Sequence, residues 1–92
     1  MGIQLNDFHR GMIKTMADFR RDNIAVSPYL FGFLTARVDS FVRGLITRDQ
    51  LADDHAFMEL LRTLDARCST KELHEIASGT RELPGEDVQS GQ

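Results

Sequence analysis

The chain has 92 residues, 41% of them hydrophobic and 27% charged, with a formal net charge of −3. That length holds one domain with a thin core, for which a partner or a second copy often supplies stability. The single cysteine, Cys68, excludes a disulfide within one chain, so the fold does not depend on an oxidising compartment.

No apolar run approaches the length of a membrane span. The opening MGIQLNDFHRGM has no basic region followed by an apolar run, and Asn6 stands where a myristoylation motif needs Ser or Thr. A cytoplasmic protein with no membrane contact is expected. Charge is unevenly spread. Residues 1–48 carry seven Lys or Arg against four acids, and residues 49–92 carry four against ten. Such asymmetry suits head-to-tail association or a charged partner, and it also arises by chance in short chains.

Helical periodicity dominates and strand alternation is absent. Leu5, Phe8, Met12, Met16 and Phe19 recur at three- and four-residue spacing, with Arg10, Lys14 and Arg21 opposite. Asn6 or Asp7 suits the N-cap, and Asn23 tolerates the left-handed backbone of a C-terminal stop. A first helix is predicted over 6–22. Gly11 lies inside it, at a cost of roughly 1 kcal/mol relative to Ala.

The next segment, SPYLFGFLTARVDSFVRG, holds four of the seven aromatic residues. Ser27 suits an N-cap, Pro28 the first helical position and Gly44 the stop, which predicts a helix over 28–43. Leu30, Phe31, Leu34, Val38, Phe41 and Val42 gather on one face and are expected to be core. Tyr29 and Phe33 lie on a different side. A helix that is apolar on two sides is expected at the centre of a bundle.

Thr47 to Gln50 reads as a capping box that opens a third helix over 48–67. Its apolar face is Leu51, Phe57, Met58, Leu60, Leu61, Leu64 and Cys68. Ser69 to Glu72 is a second box, opening a short helix over 70–78 that Gly79 stops. The predicted fold is therefore all-α, a small bundle of three longer helices and one short one. A single helical domain is expected over 1–79, followed by a mobile acidic tail over 80–92.

No catalytic constellation emerges. His9, His55 and His74 are isolated from one another and from Cys68, so no metal site is expected. His55 and Glu59 read as an exposed pair one helical turn apart. Cys68 reads as a small buried residue, not a thiolate. No glycine-rich phosphate loop is present, and no cofactor is expected. Asp54 falls in the sector of Met58 and Leu61, where an arginine of the first or second helix is its expected partner.

STKELHEIASGT has the look of a helix and turn, but the basic recognition helix that DNA binding needs does not follow it. The third helix, with Asp49, Asp53, Asp54, Glu59 and Asp65, opposes phosphate. Only the face bearing Arg10, Lys14, Arg20 and Arg21 is basic enough for nucleic acid, which makes it the disfavoured partner.

From Ala17 onward the arrangement resembles the VbhA-type antitoxins that inhibit Fic-domain toxins. Their motif is Ser or Thr, three residues, Glu, then Gly or Asn near the end of a first helix. In DFRRDN, Asp18 stands at the Ser/Thr position, Asp22 at the Glu position and Asn23 at the Gly/Asn position. A proline-started helix, a glycine stop and a capped third helix follow in similar order. The resemblance implies that Asp22 reaches an arginine of a toxin and blocks ATP.

The expected function is that of a non-enzymatic protein that binds and inhibits or regulates a partner macromolecule. Antitoxins and phage-encoded inhibitors of host defence, anti-CRISPR proteins among them, are chains of this size and composition. The alternative is a small DNA-binding transcriptional regulator. Tyr29 and Phe33, with Arg37 alongside, are the expected anchors for a protein partner or for a homodimer, unless a neighbouring helix covers them.

Overall fold

A computed structural model describes residues 5–83 and contains four helices. They are α1 (Asp7–Arg21), α2 (Ser27–Val42), α3 (Arg48–Arg67) and α4 (Thr70–Ser78). No strand occurs among the described residues, so the all-α bundle read from periodicity is the observed architecture. Residues 84–92 of the expected acidic tail lie outside the described part.

Local chemistry explains nearly every boundary. Asn6, Thr47 and Ser69 each accept a hydrogen bond from the backbone N–H three residues on. The third residue in each case (His9, Gln50, Glu72) accepts from the cap's own N–H. Three helix ends share one device. Asn23, Gly44 and Gly79 take left-handed backbone angles, with φ of 64°, 79° and 87°. The residue after each donates its N–H back to a helical carbonyl, as Ile24 does to Phe19 at 2.7 Å and Leu45 to Ser40 at 2.9 Å. The start of α2 differs from expectation. Ser27 already belongs to the helix, Val26 occupies the cap position, and no side chain caps it.

The helices pair as α1 with α4 and α2 with α3. The molecule measures 37 × 35 × 21 Å, so its thin dimension spans about two helix diameters. Met12, Ile13, Met16 and Ala17 of α1 meet Leu73 and Ile76 of α4 and Phe57, Met58, Leu61 and Leu64 of α3 in one core, closed by Cys68. Each large aliphatic or aromatic side chain taken from water there contributes roughly 1.5–3 kcal/mol.

Three polar links hold the layers in register. The Arg20 guanidinium donates to the carbonyls of Asp65 (3.0 Å) and Cys68 (2.6 Å), filling acceptors left over at the C-terminal end of α3. Arg37 of α2 pairs with Asp54 of α3, the arginine partner expected for that carboxylate. Asp18 of α1 meets His74 of α4 at 3.1 Å. Residues 80–83 turn back onto α4, where Arg81 pairs with Glu75 at 2.8 Å and Leu83 packs against the core.

The expected place of α2 is overturned. It is not central: only Leu30 within the helix, and Val26 at its start, are buried. Phe31, Val38 and Val42, expected in the core, are exposed, as is Phe8 of α1. The reason is a rotation about the helix axis. α2 docks through Val26, Tyr29, Leu30, Phe33 and Arg37, and this arc turns the opposite shoulder of its apolar surface outward.

Candidate interaction surface

The side of α2 that faces the body carries three of the residues singled out as contacts. Tyr29 is half-buried, with its ring edge-on to Phe19 at 5.3 Å. Phe33 sits between Phe57 at 6.4 Å and Phe8 at 6.1 Å. Arg37 is engaged by Asp54. Tyr29 and Phe33 thus have intramolecular neighbours, and they are packed against the core rather than standing clear of it.

The other three cluster at the C-terminal end of α1. Asp18 accepts from Lys14 at 3.0 Å, lies 3.3 Å from Arg21, and reaches His74. Its carboxyl is held below the usual range, first by the bond to His74 and then by Lys14. Asp22 pairs with Arg21, and Asn23 supplies the left-handed stop of the helix. Asp22 and Asn23 are exposed, whereas Asp18 is a link between α1 and α4.

The outward shoulder of α2 is the larger feature. Phe31 is 68% exposed, Val38 43%, Val42 76% and Leu45, just past the helix stop, 71%. Leu34 and Phe41 are half-buried at its border, and Thr35 lies within it. No residue of this stripe is charged. Asp39, which flanks it, pairs with Arg43 at 2.9 Å, while Arg37 faces the body and pairs with Asp54. A contiguous exposed apolar face on a small domain marks a contact surface more often than scattered single residues do.

Sequence reasoning placed Phe31, Val38 and Val42 in the interior because they align with Leu30 and Leu34 on the helical wheel. The signal that points the other way is the rival stripe Val26, Leu30, Phe33, Arg37, which carries the arginine matching Asp54. Two apolar arcs on one helix leave the docked one undecided until the neighbouring helices are in place.

A second surface feature is a groove of about 770 Å³ between α1 and α4. Arg10, Lys14 and Arg21 line one wall, and Lys71, His74 and Glu75 the other. Arg20, grouped with this basic face in the sequence, is not part of it, since it turns inward to α3. Asp18 already engages Lys14 and Arg21. Among the described residues, no group of three or more His, Cys, Asp or Glu could hold a metal ion, and no helix is long and apolar enough to cross a membrane. Cys68 is buried, and burial pushes its thiol up, away from the thiolate.

In comparisons with known proteins, no family model, no curated protein and no solved structure matches the chain.

Proposed function

We propose that this chain is a non-enzymatic binding protein of the cytoplasm that regulates or inhibits a partner protein, with the outer face of α2 as its contact surface. One observation carries the reading: a neutral apolar stripe from Phe31 to Leu45 that the other described residues leave in water. A small domain with a thin core forgoes stabilisation by exposing it, at roughly 1.5–3 kcal/mol per large side chain, and recognition by another macromolecule supplies the compensation. Antitoxins and phage-encoded inhibitors of host defence, including anti-CRISPR proteins, are chains of this size and composition. On the antitoxin reading, exposed Asp22 and Asn23 at the end of α1 form a second contact.

The test is a nuclease-treated pull-down from the native host with the wild-type chain and with a Phe31→Glu, Val42→Glu variant. Both residues are exposed, so helicity is expected to survive. A protein retained by the wild type and lost by the variant supports the reading. Equal capture by both sinks it.

The DNA-binding alternative has one observation in its favour, the basic wall of Arg10, Lys14 and Arg21. Two of those three already engage Asp18. Exposed Asp49, Asp53 and Glu59 on α3 oppose phosphate. Loss of all captured partners on nuclease treatment is the result that revives it.

A further inference from the structure

We infer that the occupant of the outer face of α2 is a second copy of the same chain, paired antiparallel about a two-fold axis at Val38. The inference rests on reading that face as a contact surface and names what covers it.

The spacing comes first. Within α2, Phe31, Thr35, Val38 and Val42 follow one another at four, three and four residues, and Leu45 lies just past the helix stop. That is the 3.5-residue repeat of a seam that packs against another helix, not against a flat sheet or a phosphate backbone. Leu34 and Phe41 border it on the side nearer the body.

The stripe is also balanced about its middle. Phe31 lies seven residues before Val38, and Leu45 seven after it. Leu34 and Val42 lie four to either side, and Thr35 and Phe41 three. An antiparallel two-fold axis through Val38 therefore sets each apolar position against an apolar or methyl-bearing one. Leu34 meets Val42 of the second copy, Thr35 meets Phe41, and Val38 meets its own counterpart, with Phe31 and the post-helical Leu45 at the two ends of the seam. Such self-complementarity is what an isologous interface requires. A valine, the smallest aliphatic type in the set, sits on the axis, where two helices approach most closely.

Charge agrees. The stripe is neutral, and Asp39 beside it is already paired with Arg43. Two copies can close without bringing an unpaired like charge to the seam. The helical seam rises about 16 Å from Phe31 to Val42. One helix per subunit buries less than the roughly 800 Å² per partner of a standard interface, so a dissociation constant in the micromolar range is expected.

Sedimentation velocity over a concentration series spanning the micromolar range tests the proposal. The wild type is expected to shift from monomer to dimer. Val38→Glu is expected to remain monomeric, with unchanged helicity by circular dichroism. A gentler set fixes the register. In a Cys68→Ala background, Val38→Cys is expected to form a disulfide-linked dimer on mild oxidation. Val42→Cys alone is not, but it is expected to cross-link when mixed with Leu34→Cys. A dimer that persists in Val38→Glu, or efficient linkage of Val42→Cys to itself, overturns the pairing about Val38. A wild type that stays monomeric throughout, while the Phe31→Glu, Val42→Glu variant still loses a captured host protein, overturns the second copy and leaves the contact surface standing. A monomer whose captured partners ignore that variant removes both readings.

Discussion

Arg20 shows how a single side chain changes meaning between sequence and structure. In the sequence it belongs to a basic row on the first helix. In the fold its guanidinium reaches the carbonyls of Asp65 and Cys68 and lies 3.6 Å from the Asp65 carboxylate. Hydrogen bonds from a charged donor to otherwise orphaned helix-end acceptors are worth more than neutral surface bonds. Arg20→Ala is therefore expected to cost about 1–2 kcal/mol, read as a lower urea midpoint at unchanged m-value. Two carboxyls give a pH signature. Asp18 is held below its ordinary value of 3.8, first by His74 and then by Lys14. Glu72 is held below its ordinary 4.5, first by the Ser69 backbone N–H. Both bind a proton less readily in the folded chain than in the unfolded one. The stability they add is complete above those ordinary values and is lost as pH falls through the lowered native ones. The urea midpoint is expected to hold steady down to about pH 5 and then decline. A variant with Asp18→Asn and Glu72→Gln is expected to decline less steeply. An equally steep acid limb in the variant rules these two groups out as its source.

Among the elements, Gly44 and Gly79 end helices, whereas Gly11 and Gly32 lie inside them. Gly44 and Gly79 sit at φ of 79° and 87°, where a side chain is strained. Either replacement by Ala is expected to cost about 1–2 kcal/mol. At Gly79 a new Cβ also meets the Arg10 guanidinium at 2.9 Å, but that flexible group can move aside. Gly11 lies within α1, and a Cβ built there meets nothing within 4 Å. Gly11→Ala is thus expected to raise stability by up to about 1 kcal/mol. Thermal melts of the three variants check the contrast. These stops, with the capping boxes at Thr47 and Ser69, are why helix boundaries were legible: each depends on residues within five positions in sequence. The first box was legible only in part, since Asn6 was foreseen as a cap but His9 was not foreseen as its return partner. The orientation of α2 was not legible at all. Its two apolar arcs differ little in composition, and the choice between them is made by distant residues, Asp54 of α3 and Phe19 of α1, that receive Arg37 and Tyr29. The candidate surface went unread for the same reason.

At the scale of the molecule, the chain is nested. The α2–α3 pair, neighbours in sequence, is bracketed along the chain by α1 and α4, which lie at the two ends of the described chain and pack on each other. The closing contacts are therefore of long sequence separation, with Asp18 to His74 spanning 56 positions. A fold closed in this way depends on its last helix out of proportion to its nine residues. α4 contributes Leu73 and Ile76, which are 0% and 1% exposed. It also covers the α1 face that holds Met12, Ile13 and Met16. Ending the chain at Cys68 removes two buried aliphatics and returns several α1 side chains to water. At roughly 1.5–3 kcal/mol for each large side chain, the loss is comparable to the 5–15 kcal/mol that holds a typical domain together. The truncated chain is expected to lack a cooperative thermal transition, with α1 helicity falling along with it, since an isolated 15-residue helix is marginal in water. Circular dichroism with a thermal scan decides the matter. A truncated chain that still melts cooperatively would mean that α1 finds its core on α2 and α3 alone, and that α4 is a strap laid over a finished bundle.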